Sequence, residues 1–382
     1  MPLSGLRIID LTRVISGPFC TMLLGDLGAD VIKVEIPEGD ALRTQGAGRE
    51  GLSWYFASFN RNKRSITLDL KSPEGRARFE ALVTSADALV ENFRPGVLAR
   101  LGYDEARLQE LRPGLVTCAI SGFGPDGPYR DRPAFDFIAQ AMSGFMSVNG
   151  QRDDPPLRSG LPISDLVAGL YGALGVTAAL LGRERTGRQE RVDVSLTTSM
   201  VSLLAYVASH YFATGEVLPR SGNDHPISAP YGLFRARDGD IAIAPSDDTF
   251  FGRLMDALEL GEHKSDPDFA NNMLRVKHRT RLNALVSAKL AERDCDHWIA
   301  LLNKAGVPCG PVYSVDGVFA DPQMQSQNMA IDVEHPGHGT VRMLGFPIRL
   351  SQSPCRVRYP APQLGEHNAE VFAEIGPTPL PT

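Results

Sequence analysis

The first third of the chain alternates strand signals with helix signals, and few folds satisfy that order. Leu6 to Leu11 reads as a buried strand. Pro18 opens a helix over Phe19 to Leu27, and Gly28 ends it. Val31 to Ile36 is a second strand and Ser65 to Leu70 a third. Ser72 and Pro73 then start a helix that runs to about Ser85. Ala88 to Glu91 and Leu115 to Ser121 are further strands. Strands joined through helices pair in parallel, and a parallel sheet needs cover on both faces. The class is therefore α/β.

Helices dominate the middle of the chain. Phe135 to Phe145 is one; Asp165 to about Arg185 is another, with Leu166, Leu170, Ala173, Thr177 and Leu180 on one face. Val192 to Leu196 is a short strand, and Thr198 to Ala213 reads as one helix. Gly215, Pro219, Gly222, Pro226 and Pro230 mark a crossing segment, 215–230, after a large domain, 1–214. A smaller domain, 231–324, holds a strand (Ile241 to Ala244) and helices near 248–259, 278–291 and 295–305. The last part, 325–382, carries β-like segments at Ile331 to Glu334 and Val341 to Leu344 and a terminus expected to fray. At roughly 150 residues per domain, 382 residues suit two or three domains.

Composition removes several classes. A net charge of −6 makes a poor nucleic-acid binder. The longest uncharged stretch, Leu166 to Gly182, is short for a membrane span and diluted by Gly and Ala, so a buried helix is the reading. The five cysteines (Cys20, Cys118, Cys295, Cys309, Cys355) are scattered, as in a reducing compartment, and the N-terminus lacks a signal-peptide pattern. A cytoplasmic protein is expected.

Motifs for common chemistries are missing. Glu35 ends the second strand, where a dinucleotide site places its ribose acid, but the first turn reads TRVISGP without GxGxxG. There is no P-loop and no GxSxG. His335 and His338 share the turn HPGHG, too few ligands for a metal site. Arg61, Lys63, Arg64 and Lys71 form one basic group, and Arg94 and Arg100 bracket a turn. Such groups at strand ends suit phosphates, and equally suit a solvated surface. Asp165 opens the long apolar helix, with Ser164 as candidate cap; a carboxylate there is either a helix-favouring acid or a nucleophile toward an acyl group.

Strings along nearly the whole chain resemble the class III CoA-transferases of the CaiB/BaiF type. They are LSGLRIIDLT, ISGPFCTMLLGDLGADVIKVE, FNRNKRSITLDLKSPEG, VENFRPGVL, GFGPDGP with AFDFIAQAMSG, ISDLVAGLYGALGVTAAL, TGRQERVDVSL, GNDHP with PYGLF, and AGVPCGPV. The resemblance implies a Rossmann-like large domain with a parallel sheet and a smaller α+β domain, in an interlocked, ring-shaped homodimer. It implies that 325–382 returns to the large domain. It makes Asp165 the catalytic nucleophile, acting through an acyl-aspartyl anhydride and an aspartyl-CoA thioester. It assigns CoA contacts to Val14, Ile15, Ile36, Leu68, Lys71, Asn92, Phe93, Arg94 and Arg100, and places Ala134, Phe135 and Asp136 near the thioester. Ile36 stands where some relatives carry Arg. No metal or redox cofactor is implied; CoA is a substrate.

Two departures narrow the activity. SGNDHPISAPYG replaces the glycine run of formyl-CoA transferases, with Asn223 and His225 as candidates to cover the intermediate. Phe135 replaces the proton-carrying His of the racemases on this fold. The reading is a CoA-transferase acting on an acyl-CoA, such as succinyl-CoA, and a free acid, preferably a short dicarboxylate. Arg43, Arg49 and Arg158 are candidates to hold a second carboxylate. The rivals are a racemase or epimerase of the same fold and a non-catalytic CoA-binding protein.

Overall fold

The computed structural model describes residues 1–49 and 51–376; Glu50 and the terminus expected to fray, 377–382, lie outside the described residues. The chain forms two compact units. The first comprises 1–145, 159–204 and the chain from 322; the second comprises Met146–Arg158 and Ala205–Asp321. The segment 146–158 and the helix Ala205–Thr214, both read from the sequence as part of the large domain, fall in the second unit. The expected helix Thr198 to Ala213 is two helices, Leu196–Ser202 and Ala205–Thr214. Ala205 sits in the left-handed region (φ 43°), which interrupts an α-helix.

The first unit is built on a six-stranded sheet: β1 (Arg7–Asp10), β2 (Asp30–Glu35), β3 (Lys63–Thr67), β4 (Ala88–Glu91), β5 (Val116–Ser121) and β6 (Arg191–Ser195). All neighbours are parallel, in the order β3-β2-β1-β4-β5-β6. Strand alternation sends Ile8 to one face and Ile9 to the other, so each face has its own core. Helix α1 (Ser16–Asp26) and the long helix Ile163–Thr186 cover the Ile8 face. The helix Pro73–Thr84, capped by Ser72, covers the Ile9 face through Phe79 and Leu82. The strand order reverses between β1 and β4. Such a switch point opens a crevice beyond the carboxyl ends of the strands, where α/β proteins bind ligands.

The long helix differs from its sequence reading. Its buried face is Ala168, Gly169, Gly172, Ala173, Val176, Ala179 and Leu180; of the expected face Ala173 and Leu180 are buried, whereas Leu170 is 51% exposed, as is Leu174 at 65%. Small residues let it approach α1 closely. A Cβ on Gly169 would lie 2.6 Å from the Ser16 carbonyl oxygen, and one on Gly172 would lie 3.1 Å from Cys20 Sγ. Length and composition alone would let this helix span a membrane, but its small-residue face is part of the core.

After 322 the chain adds an antiparallel hairpin, Ala330–His335 with Gly339–Leu344. Val333, Val341 and Met343 pack with Ile15, Leu42 and Phe56. The helix Asn368–Glu374 inserts Val371 into the Ile9-face core, and Asn368 accepts from the Thr67 N–H (2.9 Å). In the second unit, strands Gly232–Arg235, Asp240–Ile243 and Cys309–Pro311 form an antiparallel sheet. The helices Asp248–Ala257, Arg279–Leu290 and Cys295–Lys304 pack on it around Ile241, Leu254 and Trp298.

Candidate active site

The loop after β1 is fixed from beneath by buried charges. Asp10 accepts from the Thr12 N–H (2.8 Å) and from Lys63 Nζ (2.9 Å). Lys33 Nζ donates to the Thr12 carbonyl (2.9 Å) and to Asp40 (3.1 Å), and Asp40 also accepts from the Val14 N–H (3.2 Å). Both lysines and both aspartates are buried; isolated charges there would be very costly, so each is paired. Val14 takes φ 68°, an uncommon conformation for a β-branched residue, kept by this network.

Asn92, after β4, closes the neighbouring side. Its side chain accepts from the Arg13 N–H (2.8 Å) and donates to the Arg13 carbonyl (2.7 Å). Its amide also reaches Ser16 Oγ at 3.5 Å. The resemblance gave Asn92 to CoA; its amide here clamps the two switch-point loops together.

Asp165 lies in the first turn of the long helix, half-buried. Burial and the nearby charge of Asp136 push its carboxyl up to about 7, while a hydrogen bond from Ser16 pulls it down. Ser164 is not the cap: the helix starts at Ile163, and Ser164 sits inside its first turn. The capping carboxylate is Asp136. It accepts from the Ser164 N–H (2.9 Å), the Ser164 hydroxyl (2.8 Å) and Gln140 Nε2 (2.7 Å). An acid distant in sequence thus satisfies backbone groups that a local side chain usually takes. Tyr55 belongs to the same cluster: burial and then the charges of Asp165 and Asp136 push its phenol up. Nothing in the sequence reading singled out Tyr55, although Ser53 before the apolar run WYFASF is a helix-start signal, and Ser53 does cap Trp54–Asn60.

A small hollow at the carboxyl ends of the strands is lined by Leu11, Ile36, Leu68, Leu70 and Phe93, with Arg13 over the Phe93 ring at 5.4 Å. It brings together Ile36, Leu68 and Phe93, which the sequence separates widely. Ile15 and Leu68 are buried core residues, Ile15 packing with Leu42 and Phe56. Lys71, Arg94 and Arg100 are exposed. Gly96, at φ 81°, makes room for Arg100: a Cβ there would lie 3.2 Å from Arg100 Nη1 and 3.8 Å from Arg130 Nη2. Arg130 is a second cation that the sequence reading missed. Ala134 packs tightly on Gly122, and Phe135 is 73% exposed.

Several basic residues turn out to be structural. Arg61 pairs with Asp26 (2.8 Å), Lys63 with Asp10 and Arg64 with Asp30 (2.6 Å), all largely buried rather than at a phosphate site. Glu35 is no ribose acid: it pairs with Arg43 (2.6 Å) and accepts from Ser65 (2.7 Å) and the Asp40 N–H (3.0 Å). Arg43 is thereby engaged. Arg158 belongs to the second unit, and the side chain of Arg49 lies outside the described residues. Asn223 and His225 also lie in the second unit, where His225 stacks on Tyr206 at 5.4 Å.

The family model described as CoA-transferase family III matches residues 3–368. A succinate–glutarate CoA-transferase of Agrobacterium fabrum is 39% identical, over 98% of this chain and 96% of that one. The human succinyl-CoA:glutarate CoA-transferase is 36% identical, over 98% and 86%, and an acetyl-CoA:oxalate CoA-transferase of Acetobacter aceti is 40% identical, over 98% and 96%. The crystal structure of a CaiB/BaiF family protein from Brucella suis superposes with a TM-score of 0.87 at 40% identity, covering 98% of this chain and 99% of that one. The matched length, the parallel sheet and the ordered sequence agreement make this chain a member of the family III CoA-transferases.

Proposed function

We propose that this protein moves CoA from an acyl-CoA to a free carboxylic acid, with Asp165 as nucleophile. The observation that carries the proposal is the Asp165 carboxyl itself, half-buried at the start of a long helix, with Ser16 and Tyr55 around it and Asp136 capping the helix. The Asp165 carboxylate attacks the thioester carbonyl, forming an acyl-aspartyl anhydride and expelling CoA thiolate. The thiolate attacks the aspartyl carbonyl, giving an aspartyl-CoA thioester and releasing the first acid. The incoming carboxylate attacks that thioester, forming a second anhydride and freeing the thiolate again. The thiolate takes the new acyl group, and the Asp165 carboxylate returns. No proton is gained or lost over the cycle, so a general acid–base pair is unnecessary. An exposed Phe135 before Asp136 favours this chemistry over racemisation, which needs a proton carrier.

Succinyl-CoA is the proposed donor and a short dicarboxylate the acceptor, in a cytoplasmic homodimer of interlocked rings. The activities named for the relatives, succinate with glutarate and succinyl-CoA with mesaconate among them, support the dicarboxylate. Exposed Leu170, Leu174 and Phe135 support a second chain. The test is mass spectrometry of protein mixed with succinyl-CoA and isotopically labelled free acids. New labelled acyl-CoA, formed by the unaltered protein and absent with Asp165→Asn, is the expected result. CoA binding without exchange for any acid rejects it.

A further inference from the structure

The helix that carries Asp165 begins without a local cap. Pro162 precedes it with no side-chain hydrogen bond, and Ser164 is already inside the first turn. First-turn N–H groups then need acceptors from elsewhere, or the turn frays. Here the acceptor comes from the short helix Asp136–Met142. One oxygen of Asp136 accepts from both the N–H and the hydroxyl of Ser164, at 2.9 and 2.8 Å. The other accepts from Gln140 Nε2 at 2.7 Å. Gln140 is buried, and its Oε1 accepts from the Ser159 N–H at 2.8 Å. Ser159 is where the chain re-enters the first unit. Its hydroxyl accepts from the Leu161 N–H (3.1 Å), and the Leu161 carbonyl accepts from the Ile163 N–H (2.8 Å). The Gln140 amide has one workable orientation. Turned over, it would set its oxygen against a carboxylate and its NH2 against an N–H.

Resting on the reading of Asp165 as nucleophile, we propose that Gln140 is its positioning residue, acting through Asp136. Ser164 is the chain neighbour of Asp165, and both its N–H and its hydroxyl are held by Asp136. The clamp therefore fixes the backbone from which the Asp165 side chain projects. Gln140 holds the far oxygen of Asp136 and, with its other end, the point where the chain re-enters the unit. The need follows from the chemistry. The same carboxyl must attack a thioester carbonyl and then be attacked in turn by a thiolate and by an incoming acid. A displacement of about 1 Å costs on the order of 100-fold in such a step. Two buried side chains joined by short hydrogen bonds keep the turn in one place through every step.

The hydrogen-bond pattern can be exchanged, and that supplies the test. Gln140→Glu sets two carboxylates against each other, and Asp136→Asn sets two NH2 groups against each other. Combined, the two substitutions restore every bond with the roles reversed: the amide at 136 donates to the carboxylate at 140, and Ser159 and Ser164 keep their acceptors. The experiment measures kcat and KM for transfer from succinyl-CoA to a labelled short dicarboxylate, and amide hydrogen exchange over 159–165. It compares the unaltered chain, each single variant and the double variant, with kcat read at pH 9, above the range in which Asp165 titrates. Each single variant should lose protection over 159–165 and lose kcat by roughly 10–100-fold, with KM for succinyl-CoA kept within about threefold. The double variant should regain protection and return to within about fivefold of the unaltered kcat. It also serves where a single variant fails to fold, because it leaves no buried group of the clamp unpaired. Given an active unaltered chain, unchanged protection in the single variants, a loss confined to KM, or a double variant no better than the singles overturns the role of Gln140. An unaltered chain that transfers CoA to no acid instead overturns Asp165 as nucleophile, and this role with it.

Discussion

At the residue scale the site is a balance between two aspartates. Asp165 titrates near 7 in the folded protein, against 3.8 for its ordinary value. A carboxyl raised on folding binds its proton more tightly in the native state, so native stability falls as pH rises between those values. Asp165→Asn removes that penalty. Its melting temperature should exceed that of the unaltered protein, and by more at pH 8 than at pH 5, while CoA exchange is lost; an equal difference at both pH values would count against a raised carboxyl. Asp136 does two things that substitutions can separate. Asp136→Asn keeps an acceptor for Ser164 but removes charge, and should move the pH midpoint of activity downward. Asp136→Ala also removes the cap and should cost about 1 kcal/mol in denaturant unfolding. Asp165 was legible as the helix-opening acid of ISDLVAGL. Asp136 entered only through the resemblance, as a residue near the thioester and not as the cap of that helix, and the neighbouring Tyr55 did not enter at all, because each comes from another element.

At the element scale the long helix is the main determinant. Its apolar length is plain in the sequence, but the inward face is not, since both faces carry apolar residues. Gly, Ala and Val went inward along most of the helix because α1 lies against its backbone, with Leu180 beside them, whereas Leu170, Leu174 and Leu181 went outward. Two glycine substitutions check this. Gly169→Ala drives a methyl into the Ser16 carbonyl and should destabilise by about 1–3 kcal/mol, with loss of activity. Gly182→Ala, whose Cβ would meet nothing within 4 Å, should stabilise by roughly 0.5–1 kcal/mol. Chemical denaturation of the two variants decides it; equal effects would contradict the close helix contact.

At the scale of the whole molecule, the chain leaves the first unit at Met146, returns at Ser159, leaves again at Ala205 and returns at Pro322. Exposed Leu170, Leu174, Val201 and Leu203 lie on the first unit and Phe212 and Val217 on the second. An apolar surface of this kind on a single chain is what a partner covers. Light scattering should find particles of two chains, and Leu174→Glu should weaken them; a monodisperse monomer at micromolar concentration would reject the proposed homodimer.

The sequence by itself determined the local order: which stretches are strands, that they are parallel, and which acid opens the long helix. Those properties depend on residues close together in the chain, where hydrophobic period, Pro, Gly and Ser act directly. Only the tertiary structure decided which charges are buried. Lys33, Lys63 and Arg64 sit in strands, and Arg61 just before one, each facing an acid from another element. It also decided that Asp136 caps a helix 28 residues away in sequence. A charge is read as solvated or as structural by what stands opposite it in space, and that partner is set by sheet order and helix packing rather than by its neighbours in the chain.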